Sequence, residues 1–298
     1  MSSVVEEVIQ QVEEIEPMPF VVHEVLSLMG QKEVAASRIE ELVKKDPAMA
    51  AEILKMSNSP LYNPHGKVKD LKQALVVLGN NTVLSIILTH YTSGEIRKDV
   101  PGYDVPAEEM WRHGIAVAIL SQKIAEKLKL EEGVAYAAGL LHDVGKTILG
   151  LYLQDKVQEI LKMVREAPRK ERLSFLQAER FVLGMDHAEL GGRVAERWEL
   201  PEEIVAAIRY HHEPAGAPEH LLPIVAVVHT SNIFVLGAGI GTGSDGLAYK
   251  LEKKALEVLG FSHKEGSELW TEFLVDIVEA LKESEDVFSG EGSDKEVS

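Results

Sequence analysis

The sequence contains no cysteine. Disulfides, thiolate metal ligands and a cysteine nucleophile are therefore excluded, while the redox compartment stays open. Positive charge is scarce: 31 lysines and arginines face 48 acidic residues, for a formal net charge of -17. A chain this acidic repels phosphate backbones and anionic lipid surfaces, which disfavours general nucleic-acid or membrane binding and leaves room only for a local basic site. Strand signals are nearly missing. Residues Met1 to Glu16 are acidic and show neither the basic nor the apolar part of a secretory leader, so the expected compartment is the cytoplasm. The most membrane-like stretch, Leu221 to Ile240, carries Pro223, His229, Thr230, Ser231 and Asn232, which marks a buried core helix and not a spanning one.

What fills the chain is helical periodicity. At 45% hydrophobic and 27% charged, 298 residues suffice for one large or two moderate cores, and the expected class is all-α. Val4 to Ile15 reads as an amphipathic helix stopped by Pro17 and Pro19. Phe20 to Met29 ends at Gly30, Ser37 is expected to cap a helix running to Lys45, and Asp46-Pro47 opens Ala48 to Met56. Leu71 to Leu78 and Thr82 to His90 follow, separated at Gly79-Asn80-Asn81. After a turn-rich break at Pro101 to Pro106, helices are expected over Ala107 to Leu128, Glu131 to Asp143, Val144 to Val164, Arg172 to Leu183, His187 to Trp198 and Pro201 to His211. The Pro- and Gly-containing stretch Glu213 to Pro223 reads as a boundary, followed by Ile224 to Leu236, Leu247 to Leu259 and Glu265 to Leu281. Residues 282–298 read as a disordered acidic tail.

Chemistry concentrates in the histidines. Gly139-Leu140-Leu141-His142-Asp143-Val144-Gly145-Lys146 places imidazole beside carboxylate, the ligand pair of Zn, Fe or Mn, at the end of an apolar helix. Glu109 and His113 share a helix face at i,i+4. His187 stands at a helix start, and His211-His212-Glu213 at a helix end. Four helices thus each offer an imidazole, the way helical bundles assemble dinuclear sites. Singly, each residue has a plainer reading: His113 and His187 as core or helix-end histidines bonded to carbonyls, His211 and His212 as partners of a helix C-terminus, Lys146 as a solvated lysine. The glycine-rich run Gly237 to Gly246 has neither a P-loop lysine nor a preceding strand and reads as a connection. The basic cluster Arg165, Arg169, Lys170 and Arg172 reads as a solvated loop.

The run Ile53-Leu54-Lys55-Met56-Ser57-Asn58-Ser59-Pro60-Leu61-Tyr62, with Leu71-Lys72-Gln73-Ala74-Leu75 and Leu78-Gly79 after it, resembles the N-terminal half of an HDOD domain, an all-helical bacterial signalling module. The resemblance implies a multi-helix bundle of HD-domain type. It assigns residues 1–16 to an N-terminal extension, 17–215 to the domain (17–100 its helical N-terminal half, 101–215 its HD-like half) and 216–281 to C-terminal helices. The histidine order is similar to that of HD-GYP phosphohydrolases. That likeness implies Glu109, His113, His142, Asp143, His187, His211 and His212 as ligands of a divalent, dinuclear Fe or Mn centre, with Zn or Ni as alternatives. Asp143 would bridge the ions and Lys146 would contact a substrate phosphate.

Two departures stand out. Where that family has a further aspartate, this chain has Asn232 in His229-Thr230-Ser231-Asn232, able to coordinate through its carbonyl oxygen but without charge. The Gly-Tyr-Pro element after His-His-Glu is also absent, Glu213 leading into Pro214-Ala215-Gly216. Two functions are thereby expected side by side: a regulatory module acting through protein partners in a signalling pathway, and a metal-dependent phosphohydrolase taking a nucleotide or other phosphate-containing small molecule, with Asp143 and Lys146 as its catalytic residues.

Overall fold

The computed structural model describes residues 10, 12–13, 17–31, 33–59, 62–63, 67–96, 103, 105–152, 154–166, 173–241 and 249–260. Fourteen α-helices lie among them: α1 (Phe20–Met29), α2 (Ala36–Val43), α3 (Pro47–Ser57), α4 (Leu71–Leu78), α5 (Asn80–Ile96), α6 (Ala107–Leu128), α7 (Glu132–Leu141), α8 (Val144–Tyr152), α9 (Gln154–Glu166), α10 (Phe175–Leu183), α11 (His187–Arg197), α12 (Glu202–Tyr210), α13 (Leu222–Gly237) and α14 (Lys253–Leu259). The all-α class expected from the periodicity is what the chain adopts. No single described helix is long and apolar enough to cross a membrane.

The bundle is organised on α7. Its sequence, Glu-Gly-Val-Ala-Tyr-Ala-Ala-Gly-Leu-Leu, is apolar on every side after the first residue, and Gly133 through Leu141 are all buried. A helix without a polar face has to be surrounded. α5 and α1 cover it from the N-terminal half, and α6, α12 and α13 from the other. His142 and Asp143, which follow directly, are thereby carried into the interior.

Glycine sets how closely the neighbours approach. A Cβ at Gly139 would stand 2.8 Å from the Cα of Ala118, so α6 lies directly on α7. A Cβ at Gly145 would stand 1.9 Å from the carbonyl oxygen of His187, so α11 lies as closely on α8. The two glycines flank His142-Asp143 in sequence, and their close contacts bring His113 of α6 and His187 of α11 to the pair.

The N-terminal half is fastened by short polar devices. Asp46 caps α3, accepting from the backbone N–H groups of Ala48 (2.9 Å) and Met49 (3.2 Å). Asn58 bonds both backbone groups of Val68, accepting from its N–H at 2.8 Å and donating to its carbonyl at 3.0 Å, and so closes the loop before α4. Asp70 then caps α4 through Gln73 N–H at 2.9 Å.

Several boundaries differ from the sequence expectation. Ser37 is not the cap of α2: the helix begins at Ala36 after Ala35, with no side-chain cap. α5 starts at Asn80, directly after Gly79 at φ +78°, and runs on to Ile96. α10 begins later than Arg172, because Ser174 and Gln177 form a reciprocal capping box. The region expected as one helix from Val144 is described as α8 and α9. The stretch read as a boundary holds a short 3-10 turn, Pro214–Gly216, after which α13 packs on α6, α7 and α12. Most of the Val4 to Ile15 helix, Arg169, Lys170 and Arg172 of the basic cluster, the helix at Glu265 to Leu281 and the tail 282–298 lie outside the described residues.

Gly145→Ala is expected to destabilise the protein by about 3 kcal/mol, the upper range for overpacking, because the added methyl can only be accommodated by displacing α11. Thermal or urea unfolding measures it, and a change under about 0.5 kcal/mol would contradict the close approach.

Candidate metal centre

Asp143 stands at the middle of the cluster, in the turn between α7 and α8, and is 4% exposed. Its Oδ1 lies 3.5 Å from His187 Nε2 and 3.6 Å from His211 Nε2. Its Oδ2 lies 3.4 Å from His142 Nε2, 3.9 Å from His113 Nε2 and 2.8 Å from Lys146 Nζ. Two groups of ligand atoms result, each drawn together within 4.8 Å: Asp143, His187, His211 and His212 in one, His113, His142 and Asp143 in the other. Asp143 belongs to both.

The ring orientations follow from local bonds. His142 Nδ1 donates to the Gly139 carbonyl and His211 Nδ1 to the Ile208 carbonyl, both at 2.7 Å. These are carbonyls that the ends of α7 and α12 would otherwise leave unpaired. With the proton on Nδ1, each Nε2 presents a lone pair to the cluster. His142 Nε2, His211 Nε2 and Asp143 Oδ1 are buried with no hydrogen-bond partner among the described residues. Lys146 and His187 bring positive charge to the carboxylate, but the two imidazole acceptors are left with a desolvation cost that a cation removes. The donor set, imidazole nitrogen and carboxylate oxygen, suits Fe, Mn, Zn or Ni.

Asn232, on α13, extends the second group. Its Oδ1 lies 3.1 Å from His113 Nε2, while His113 Nδ1 lies 3.1 Å from the Ile240 carbonyl. Burial and His142 hold the His113 pKa down to about 4, so the ring is neutral and donates from one nitrogen only. With Nδ1 donating to Ile240, Nε2 and the amide oxygen are two acceptors in contact. A cation held between His113 Nε2 and the Asn232 amide oxygen would relieve that contact.

The remaining expected residues fall on both sides of the line. His187 and His212 meet at 2.9 Å through their Nε2 atoms, and Tyr249 stacks on His212 at 4.0 Å. Lys146 is 5% exposed and donates to Asp143, with the rings of Tyr103 and Tyr249 each 5.9 Å from Nζ. Glu109 is not drawn in: it pairs with Arg112 at 3.2 Å, both side chains about two-fifths exposed. His229, unassigned before, fastens the back of the site by donating from Nδ1 to the His211 carbonyl (2.7 Å) and accepting at Nε2 from Glu252 N–H (2.9 Å).

The sequence reading missed Glu179. It is wholly buried on α10 and takes hydrogen bonds from His187 Nδ1 (2.8 Å), His187 N–H (3.0 Å) and the Tyr103 hydroxyl. A signal was present: Phe175, Glu179 and Leu183 are spaced by four, so a carboxylate sits in the apolar stripe of an amphipathic helix.

Charge in the cluster is set by burial and by these partners. Burial lowers the His211 pKa to about 4 and takes His212 well below its usual value. For Asp143 burial acts upward, but His142 and Lys146 outweigh it and hold the carboxyl well below the usual range. Burial likewise works against a charged His187, yet the bonded Glu179 carboxylate and Asp143 at 3.5 Å carry it up to about 10.

The signs give a pH profile for the cation-free protein. His113 and His211, depressed from 6.5 to about 4, contribute stability above pH 6.5 that is lost as pH falls toward 4. Asp143, also depressed, adds to the loss only below the ordinary carboxylate range. His187, raised, contributes fully below pH 6.5 and loses its contribution as pH rises through 10. Urea unfolding in chelator is expected to show stability dropping by up to about 1.4 kcal/mol per pH unit for each of His113 and His211 between pH 6.5 and 4. A flat profile there would contradict neutral buried imidazoles.

A family model described as HDOD domain matches residues 15–214. A solved structure, an HDOD domain protein of unknown function from Geobacter sulfurreducens, is 25% identical and superposes with a TM-score of 0.79, covering 96% of this chain and 97% of that one. An uncharacterized protein of Treponema pallidum is 23% identical over 76% of this chain and 43% of its own length. Ribonuclease Y of Thermus thermophilus is 25% identical over 66% of this chain and 28% of its own. The chain therefore spans less than half the length of either curated relative.

Proposed function

Because the chain belongs to the HDOD family, we propose that it is a bacterial signal-transduction module built on a two-cation centre, passing its state to a protein partner. The observation that carries this reading is the shared carboxylate: Asp143 Oδ1 faces His187 and His211, and Oδ2 faces His113 and His142. His187, His211, His212 and Asp143 would hold one ion; His113, His142, Asp143 and Asn232 would hold the other. The donor set suits Fe, Mn, Zn or Ni, and the likeness to HD-GYP phosphohydrolases favours Fe or Mn among them. When bound, the ions supply Lewis acidity toward a phosphate-bearing ligand. Lys146 balances the Asp143 charge and stands ready to offset a phosphoryl oxygen.

Two features favour regulation over turnover. Every side chain of the cluster is buried, His212 at 8% being the most exposed. Asn232 supplies a neutral oxygen where a carboxylate would bind a cation more strongly. The second reading, a metal-dependent phosphohydrolase acting on a nucleotide or cyclic nucleotide, is favoured by Lys146 and by the stretch shared with ribonuclease Y.

Elemental analysis after metal-replete growth is expected to find up to two Fe or Mn per chain, with His142→Ala losing the ion held by His113. Asn232→Asp is expected to tighten that ion's retention against chelator by about tenfold, a carboxylate replacing an amide. Protein free of transition metal overturns both readings. With bis-4-nitrophenyl phosphate and cyclic dinucleotides, the metal-loaded protein is expected to show no turnover above buffer. Turnover that disappears in His142→Ala would replace the regulatory reading with the enzymatic one.

A further inference from the structure

Glu179 has a geometry that packing alone does not explain. A carboxylate with no exposed surface, in the apolar stripe of α10, is costly unless several donors satisfy it. Three do. Oε2 accepts from His187 N–H at 3.0 Å and Nδ1 at 2.8 Å, Nδ1 also lies 3.0 Å from Oε1, and Oε1 accepts from the Tyr103 hydroxyl. Tyr103 is itself fully buried, against Phe175 at 5.2 Å between ring centroids.

Each bond constrains His187. The Nδ1 bond obliges that nitrogen to carry a proton and turns Nε2 toward Asp143 Oδ1 and His212. The backbone bond fixes the first residue of α11, so the ring is set from both ends. The Tyr103 bond holds the carboxylate from its far side and keeps it from rotating away. His142 and His211 obtain the same tautomer from helix-end carbonyls, but His187 opens its helix and has no such carbonyl behind it. Glu179 supplies what the backbone does not.

We propose that Glu179, held by Tyr103, is a positioning residue for the cation bound by His187, His211, His212 and Asp143. The anionic partner also raises the donor strength of His187 Nε2 toward a cation. This inference rests on the two-cation reading. Arg180 provides a comparison, since it ties Asp186 at 2.6 Å and Glu213 at 2.8 Å, joining the same elements without touching His187.

The test measures Mn(II) affinity by chelator competition, the visible spectrum of the Co(II)-substituted protein, and cation-free thermal stability. It uses the full-length wild type, Glu179→Gln, Tyr103→Phe and Arg180→Met. Glu179→Gln removes the negative charge while its carbonyl can still accept from His187 and its NH₂ can donate to the Tyr103 oxygen. It is expected to weaken binding by about 10- to 100-fold and to change the Co(II) band intensities. Tyr103→Phe is expected to weaken it by a smaller factor in the same direction, and it serves if Glu179→Gln does not fold. Arg180→Met is expected to lower thermal stability with affinity within twofold of wild type. If Glu179→Gln and Tyr103→Phe lose stability while affinity and Co(II) spectrum stay as in wild type, Glu179 is structural and the proposal is overturned. A wild type without measurable affinity overturns the two-cation reading itself.

Discussion

The constraint on which the rest depends is the Asp143 carboxylate, buried among imidazoles with Lys146 and, in the cation-free protein, the charged His187 as its cationic neighbours. Burying an anion amid acceptors is among the most costly arrangements a fold can hold, and it persists only where positive charge is brought to it. Lys146 brings one unit, on one oxygen. The other oxygen, Oδ1, has no close hydrogen bond among the described residues, His187 Nε2 standing 3.5 Å away. The architecture converges on this point: α7 is apolar all round so that its end lies inside, and Gly139 and Gly145 let α6 and α11 close on it.

A single rule accounts for the ring orientations. Four imidazoles direct Nδ1 outward: His142 to Gly139, His211 to Ile208, His113 to Ile240 and His187 to Glu179. Each turns Nε2 inward. Two of the four outward acceptors are i−3 carbonyls, available because His142 and His211 sit at the last turn of their helices, where carbonyls go unpaired. His142 and His211 therefore need no extra machinery, whereas His113 depends on the chain returning after α13 and His187 on α10. His229 applies the same pattern one layer out, donating to the His211 carbonyl.

This divides what the sequence made legible from what it did not. His142-Asp143 and the other histidines could be read because imidazole and carboxylate are uncommon in apolar helices, and Asn232 could be read through its place after His229. Glu109 illustrates the opposite: i,i+4 spacing puts it on the His113 side of α6, but one turn along the axis carries it to the surface, where Arg112 takes it. Glu179 shows in the spacing only as a carboxylate in the apolar stripe between Phe175 and Leu183; its role does not, because it acts across a turn on a residue eight positions away. The helices themselves follow from periodicity. Their ends are set by local competition, as at Ser37, where α2 starts one residue earlier and leaves the hydroxyl inside the helix.

The ligand set also bears on what such a site would attract. Asp143 supplies the one carboxylate within the two ligand groups, since Glu179 faces the outer side of His187 and Glu109 is paired elsewhere. With Asn232 neutral and Lys146 already cationic, two divalent ions held there would leave a large positive surplus in a low-dielectric interior. A −17 chain has abundant negative charge at its surface but little within reach of that point. Charge balance then has to come from an anion entering the site, and the strength of that demand grows as the surroundings exclude water. Replacing the neutral amide by a carboxylate would lower the demand by one unit. With two cations bound, an uncharged residue at position 232 would do two things at once: weaken the hold on the second cation and strengthen the pull on a phosphate-bearing ligand. Those are properties of a site whose occupancy responds to its ligand, which is what a regulatory module requires.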